Sequence, residues 1–347
     1  MTAKKVLFID ARKGGDFTLD ALFAGLVDRL GFENVVDWPA SEKRREGIPK
    51  VTGDIEKDYG AERRSLCYTP FFNKLKPWTL SEVNNLIRSG EIDMIFIDER
   101  QESFELYAHT IAHGAGIPVV VVAGHDRFWN DSPQALFQMY GRNLKAMFLD
   151  NWRENYRSLK NTYPMSYSTN FDHFWNVSKR DEYISNKLYN VCFMGYNSHG
   201  DRAVIVDHLL QKYGGTDNCL FVEKRPNTMQ SFIRKEDYFK KMAQSKICIN
   251  LKGGAECGKA LRFYEIPYVG SYMLSQADNA NQVHPFEDGV HCDYFRTVED
   301  LDHLIGLNLD LEGPREKIAK AGHEHAMKFH TARARVDYIY GCIDGSR

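Results

Sequence analysis

The chain contains 347 residues, of which 43% are apolar and 27% are charged, both ordinary proportions for a globular protein. Its 45 Lys and Arg against 47 Asp and Glu give a formal net charge of −2. This balance argues against a protein whose main task is to coat nucleic acid, because such binding depends on an excess of positive charge. At roughly 100–200 residues per domain, the length predicts two domains.

Membrane-spanning and disulfide-stapled classes are also disfavoured. No run approaches the ~20 apolar residues that cross a bilayer, and Met1–Asp10 is too short in its apolar part to resemble a signal peptide. The seven cysteines are odd in number and lack Cys-x-x-Cys spacing. We therefore expect a cytoplasmic protein with reduced thiols and no membrane span.

Strand and helix patterns alternate through the first half. The predicted elements, in chain order, are strand Lys5–Asp10, helix Thr18–Leu30, strand Phe32–Asp37, helix Leu80–Ser89, strand Asp93–Asp98, a helix ending over Tyr107–His113, and strands Ile117–Ala123 and Lys145–Asp150. The β-branched run over Ile117–Ala123 is typical of a parallel strand covered on both faces. Residues 38–79 form a long polar insert, and inserts of this length are usually functional or mobile.

A change of composition separates the two halves. Residues 151–187 are rich in Tyr, Asn and Ser without a clear period, which predicts a linker. The elements predicted beyond it are strand Tyr189–Gly195, helix Arg202–Tyr213, strand Asn218–Val222, helix Glu236–Ala243, strand Lys246–Leu251, a helix beginning near Lys259, strand Tyr268–Leu274, and helices Asp300–Leu307, Pro314–His330 and Thr331–Ile343. We expect two α/β domains with parallel sheets, over 1–150 and 188–330, followed by a final helix over 331–347.

Polar or glycine-rich loops follow five of the predicted strands. In open parallel sheets, ligands bind beyond the carboxyl ends of the strands. The loops at those ends are Ala11–Asp16, Asp98–Arg100, Gly124–Arg127, Gly195–Arg202 and Lys252–Gly258. Loops of this kind in two domains predict a ligand cleft between them, although surface loops are polar in any protein.

Two of these loops favour an anionic ligand. Gly195–Arg202 lies between a strand and a helix, where backbone amides and Arg202 suit a diphosphate. The segment Ile249–Leu274 places Lys252, Lys259, Arg262 and Glu265 beside three glycines. Arg262 and Glu265 share a helix face, which is compatible with an exposed ion pair or with a carboxylate for ribose hydroxyls beside cations for phosphates.

The histidines predict no metal site, since no spacing typical of metal ligands occurs. His125 and Asp126 follow a buried strand, where they would serve either as a general base or, for Asp126, as a helix N-cap.

The segment Ile249–Leu274 resembles the C-terminal domain of group 1 glycosyltransferases, especially the spore-maturation (CgeB-like) type. That family has a strand, a glycine-rich loop and an Arg-x-x-Glu helix, here Asn250–Gly254 followed by Arg262–Glu265. The resemblance covers about residues 188–343. It implies a GT-B fold, in which two Rossmann-like domains face each other across a cleft and the last helix crosses back to the first domain.

The resemblance also implies a function and a set of site residues. It predicts a metal-independent, cofactor-free transfer of a sugar from a nucleotide-diphosphate donor to an acceptor hydroxyl. Donor contacts would come from Gly195, His199, Arg202, Lys252, Gly253, Gly254, Lys259, Arg262 and Glu265. Acceptor contacts are expected from Arg12, Gly14, Gly15, Glu99 and Arg100. If the reaction inverts the anomeric configuration, a catalytic base is expected from Asp10, Asp16, His125 or Asp126, whereas a retaining reaction requires no base from the enzyme.

Alternatives remain at this point. The acceptor is a glycan, a small molecule or a modified DNA base, for which Lys43–Arg45 and Arg63–Arg64 are basic groups. A two-lobed protein that binds a nucleotide or sugar without turnover is a further alternative. A dinucleotide oxidoreductase is disfavoured, because no Gly-x-Gly-x-x-Gly follows the first strand.

Overall fold

The computed structural model of the protein describes residues 4–11, 17–40, 75–123, 133–150, 154–169, 179–196, 200–215, 217–223, 235–253, 260–277 and 282–345. Within these ranges the chain forms two sheets, one in each half, and their strands pair in parallel, as the sequence predicts. None of the helices in these ranges is long and apolar enough to cross a membrane.

The first sheet has six strands in the spatial order β2-β1-β3-β4-β5-β6. They are β1 (Val6–Ile9), β2 (Val35–Asp37), β3 (Met94–Asp98), β4 (Val119–Ala123), β5 (Leu144–Leu149) and β6 (Thr162–Pro164). Leu7 in β1 pairs with Val36 of β2 on one side and with Ile95 of β3 on the other. The chain therefore adds β2 on one side of β1 and all later strands on the other side. β6 lies within the segment for which the sequence predicts a linker.

Helices connect these strands. They are α1 (Phe17–Leu30), α2 (Leu80–Arg88), α3 (Gln101–His109), α4 (Ala112–Ala115) and α5 (Pro133–Tyr140). The helix predicted to continue to His113 ends earlier, because the backbone of Thr110 is extended (φ −84°, ψ 161°) and the chain turns before α4. The Thr110 hydroxyl donates to the carbonyl of Tyr107 at 2.7 Å. The predicted strand Phe32–Asp37 is wrong in its first half, which is a 3₁₀ turn over Phe32–Asn34.

Both faces of the first sheet are covered, which explains its continuous apolar strands. Alternate residues of a strand point to opposite faces. Phe8, Phe96 and Phe148 pack on the face that α1 covers, whereas Ile9 and Ile97 pack on the opposite face with side chains of α2, α3 and α5. Both faces are therefore core, and the ligand-accessible part of this domain is the carboxyl edge of its sheet.

The second sheet has five strands in the order β11-β10-β9-β7-β8. Its strands are β7 (Tyr189–Tyr196), β8 (Cys219–Glu223), β9 (Ser245–Asn250), β10 (Tyr272–Gln276) and β11 (Asp293–Phe295). The helices of this half are α6 (Arg180–Ser185), α7 (Gly200–Tyr213), α8 (Lys235–Ala243), α9 (Arg262–Tyr268), α10 (Val298–Asp310), α11 (Glu312–Phe329) and α12 (Ala332–Ile343). Helix α9 starts three residues after Lys259, and Gly270 with φ 83° turns the chain into β10.

The last helix, α12, packs on the first domain rather than on the second. Val336 and Ile339 of α12 lie in the same buried cluster as Phe8, Phe23 and Phe96. At Gly25 of α1 the two helices approach so closely that a Cβ would lie 2.3 Å from the carbonyl oxygen of Ala332. The chain therefore returns to the first domain, and its end becomes part of that core.

Two chain segments run side by side where the domains join. The amide of Thr169 donates to the carbonyl of His330 at 2.8 Å, and the amide of Ala332 donates to the carbonyl of Thr169 at 2.9 Å. Arg335, fully buried, donates to the carbonyl of Tyr167 and to Nδ1 of His330, both at 3.1 Å. These hydrogen bonds hold together the two chain segments that run between the domains, one around Thr169 and the other around His330.

Candidate functional site

Two arginines converge at the carboxyl end of β7. Gly195 is the second-last residue of β7, Arg202 lies in the first turn of α7, and Arg262 is the first residue of α9. A Cβ at Gly195 would lie 2.4 Å from Nη2 of Arg262 and 3.4 Å from Nη2 of Arg202. Glycine is therefore required here for close approach: both guanidinium groups lie against the backbone that it leaves open.

The two guanidinium groups carry like charge in a partly buried position. Arg202 donates through Nη1 to the carbonyl of Lys252 at 3.1 Å, and the guanidinium carbon of Arg262 lies 5.2 Å from the ring centroid of Phe193. Burial, together with the nearby charge of Arg262, lowers the pKa of Arg202 to about 10. Arg202 is therefore held as a cation at an electrostatic cost.

Several donors of this arginine pair have no acceptor. In the described part of the chain, Nε of Arg202 and both Nε and Nη1 of Arg262 are buried without a hydrogen-bond partner. Buried N–H groups, and buried charges above all, are normally hydrogen-bonded. An anion with several oxygens would relieve both the repulsion and the unmet donors, which indicates a phosphate-type ligand.

The loop after β9 lies beside this pair. The backbone amide of Lys252 donates to Oε1 of Gln276 at 3.2 Å, and Nδ2 of Asn250 donates to the hydroxyl of Ser275 at 3.0 Å. These bonds tie the carboxyl ends of β9 and β10 together. The side chain of Lys252 is exposed and Gly253 follows it, so this loop holds its carbonyl against Arg202 and its ammonium group toward solvent.

Glu265 is buried one helical turn after Arg262. It is 2% exposed, and its Oε2 accepts a hydrogen bond of 2.6 Å from the hydroxyl of Tyr238 in α8. The alternative of an exposed ion pair with Arg262 is therefore wrong. Burial, and secondarily the charge of Glu265, raises the pKa of Tyr238 well above its ordinary value, while Arg262 opposes the rise. The phenol consequently stays protonated and acts as the donor.

The carboxyl edge of the first sheet is acidic. Asp10, Asp37 and Asp98 come at the ends of β1, β2 and β3, and all three are buried. Glu99 is also buried, and the backbone amide of Arg100 donates to Oδ1 of Asp98 at 3.2 Å. The structure thus places the predicted acceptor residues Glu99 and Arg100 at the strand end where a ligand of this domain is expected.

Other predicted site residues lie outside the described residues. They are Arg12, Gly14, Gly15, Asp16, His125, Asp126, His199, Gly254 and Lys259. Of the predicted donor residues, the structure brings together Gly195, Arg202, Lys252, Arg262 and Glu265, with Gly253 next in the chain. Among described residues, no group of three or more His, Cys, Asp or Glu is arranged to hold a metal ion.

The structure adds Tyr238 and Phe193 to the site. The Tyr238 hydroxyl donates to Glu265, and Phe193 lies beneath the guanidinium of Arg262. Sequence reasoning assigned neither residue a role. Phe193 lies in the apolar strand β7, and Tyr238 lies beside Phe239 in α8. In such apolar patterns an aromatic residue is expected to be part of the hydrophobic core.

Comparison with known proteins agrees with this architecture. Residues 202–341 match the model of a family described as glycosyl transferase-like, and no curated protein matches the chain. The crystal structure of Anabaena HepE in complex with UDP and glucose aligns with a TM-score of 0.55 at 11% identity, covering 99% of this chain and 100% of that one. A glycosyltransferase from Rickettsia africae gives 0.55 at 11%, with 100% of both chains covered.

Sucrose-phosphate synthase from Thermosynechococcus elongatus gives a TM-score of 0.52 at 10% identity, covering 99% of this chain and 100% of that one. At sequence identities this low, the structural similarity establishes the fold alone. The chain has the GT-B architecture: two parallel-sheet α/β domains, with the carboxyl edge of the second sheet carrying the arginine pair.

Proposed function

We propose that this protein is a glycosyltransferase that moves a sugar from a nucleotide-diphosphate donor to an acceptor hydroxyl. The observation that carries the proposal is the pair Arg202 and Arg262, whose buried donors lack acceptors beside the open backbone of Gly195. The match to a glycosyl transferase-like family over 202–341, which contains both arginines, supports it. So does the fold shared with HepE, which was crystallised with UDP-glucose.

The arginine pair would bind the diphosphate. When the bond between the anomeric carbon and the diphosphate oxygen breaks, the electron pair leaves with the diphosphate, and negative charge grows on its oxygens. Guanidinium groups already held in place stabilise that charge without rearrangement. The exposed ammonium of Lys252 would add to the same field, together with Lys259 and the loop residues His199, Gly253 and Gly254. This is the basis for proposing a transfer that needs neither a metal ion nor a cofactor.

Glu265 would bind the ribose. Its carboxylate lies one helical turn from Arg262, so a nucleotide whose diphosphate contacts Arg262 brings its sugar hydroxyls within reach of Glu265. The Arg262-x-x-Glu265 helix is the feature that we propose links this chain to group 1 glycosyltransferases of the spore-maturation type.

The first domain would bind the acceptor. Its sheet ends in Asp10, Asp98 and Glu99, and carboxylates accept hydrogen bonds from sugar hydroxyls. The acceptor oxygen forms the new bond to the anomeric carbon, and its proton passes to a base, for which Asp16, His125 and Asp126 are the candidates. Domain closure would exclude water, which otherwise hydrolyses the donor.

Binding of the donor is the first test. We expect one of UDP-, GDP-, ADP- or dTDP-sugars to raise the unfolding temperature, because a ligand that binds only the folded state stabilises it. Arg262→Ala and Glu265→Gln should each weaken binding of that donor by about tenfold or more. Arg88→Ala, an exposed position on α2, is the matched control and should leave it unchanged.

Turnover of the same donor is the second test. Release of the nucleoside diphosphate in the presence of a glycan or small-molecule acceptor array should depend on Arg262 and Glu265. Near-normal turnover in both variants would overturn the site assignment. Tight binding without any transfer or hydrolysis would instead indicate a nucleotide-sugar binding protein.

A further inference from the structure

A buried tyrosine hydroxyl binds the carboxylate on which the proposed ribose subsite depends. Tyr238 lies in α8, its ring packs edge-on against Phe239 at 5.3 Å between centroids, and it is only 9% exposed. Its hydroxyl donates to Oε2 of Glu265 at 2.6 Å. Burial raises the pKa of this hydroxyl well above its ordinary value, and the charge of Arg262 opposes the rise.

The chemistry of a phenol suits this position. A tyrosine hydroxyl has one proton to donate and lone pairs to accept with. Because burial keeps Tyr238 protonated, its proton goes to the Glu265 carboxylate. The hydroxyl therefore gives a buried anion a donor at a fixed position.

We propose that Tyr238 is a positioning residue of the nucleotide site, whose hydroxyl holds the Glu265 carboxylate in place through their 2.6 Å hydrogen bond. The inference rests on the proposed function, in which Glu265 binds ribose and Arg262 binds the diphosphate. Tyr238 is buried, so it acts on the nucleotide through Glu265. By fixing the carboxylate one helical turn after Arg262, it favours a ligand that carries a ribose and a diphosphate together.

Removing only the hydroxyl isolates this role. Tyr238→Phe keeps the ring and its contact with Phe239, and should weaken binding of a nucleoside diphosphate on the order of ten- to hundredfold. With the sugar donor, the KM should rise by a similar factor, whereas kcat should change by less than about threefold, because the bound diphosphate still meets both arginines. Tyr183→Phe is the matched control: Tyr183 lies in the same buried cluster and is also 9% exposed.

A double-mutant cycle separates positioning from simple loss of stability. If Tyr238 acts through Glu265, the variant Glu265→Gln and the double variant Tyr238→Phe/Glu265→Gln should bind within about threefold of each other. If the two losses multiply instead, Tyr238 does not act through Glu265 and the inference is overturned. The double variant also replaces the buried charge of Glu265 by a neutral amide, so it gives a folded protein to measure if the single variant is unstable.

The experiment is isothermal titration of the full chain with UDP, ADP, GDP, CDP and dTDP, followed by the best of them on each variant. Binding to the wild type that Tyr238→Phe leaves within about twofold would overturn the role of Tyr238 and leave the proposed function standing. Absence of binding by all five to the wild type would overturn the proposed function, and the positioning role with it.

Discussion

A methyl group at Gly195 would test the geometry of the arginine pair directly. In Gly195→Ala the new Cβ would lie 2.4 Å from Nη2 and 3.1 Å from Cζ of Arg262. Ordinary contacts begin near 3.4 Å, so the Arg262 guanidinium has to move by about 1 Å. Gly195 does not have a positive φ, so the substitution leaves the backbone unstrained and acts through the side-chain clash.

The displaced guanidinium would lose its position over Phe193. A misplacement of about 1 Å at a reacting centre costs on the order of a hundredfold in rate. We therefore expect Gly195→Ala to lower kcat/KM for the nucleotide-sugar donor by ten- to hundredfold.

The variant Gly306→Ala is the control for the effect of a glycine-to-alanine change itself. Gly306 lies within α10, and a Cβ there meets nothing within 4 Å. This control should keep full activity and gain about 0.5–1 kcal/mol in stability, as expected for alanine in a helix. Equal activity of Gly195→Ala and the wild type would refute the close approach on which the anion site depends.

Two predictions concern stability. Gly25→Ala should lower the free energy of unfolding, measured by urea denaturation, by about 1–3 kcal/mol. The new Cβ would press on the backbone carbonyl of Ala332, so that α12 would have to move away from α1. Unchanged stability would show that α12 does not pack as described. Burial lowers the pKa of His323 and His325, and that of His330 further still, below their usual 6.5. The unfolded chain therefore binds more protons, and stability should fall as the pH drops below about 6.5, with His330 alone adding a slope of up to about 1.4 kcal/mol per pH unit. Denaturation at pH 7.5, 6.5 and 5.5 checks this; His330→Gln should flatten the slope, and stability that rises toward pH 5.5 would contradict the reasoning.

The architecture was accessible from the sequence because burial leaves a periodic trace. The run Val119–Ala123 is buried along its whole length, as a continuous β-branched segment predicts for a strand covered on both faces. The segment Phe17–Leu30 shows the helical period for the same reason, since its apolar side follows the 3.6-residue turn. Element boundaries were less accessible, and Thr110 shows why: its backbone changes to extended angles and ends the helix without changing the apolar pattern.

Much of the chemistry of the candidate site was also visible, because its residue types are unusual for core positions. Arg202, Arg262 and Glu265 lie near glycines that follow predicted strands. Charged residues at these positions are seldom needed for packing, so they indicate a binding site. Tyr238 was not visible in this way, since a tyrosine next to Phe239 in an apolar pattern looks like any packed aromatic residue.

Which charged groups meet was decided only by the tertiary structure. Arg202 and Arg262 come from α7 and α9, which follow different strands, and they converge because both strand ends lie at the same edge of one sheet. The contact between Tyr238 and Glu265 likewise depends on α8 packing against α9. The spacing of apolar residues indicates which side of a helix or strand is buried. The proximity of distant segments depends on strand order and helix packing, which produce no periodic pattern in the sequence. The sequence therefore indicates a set of anion-binding residues, whereas the fold decides that two cations meet at one glycine and that a tyrosine binds the carboxylate.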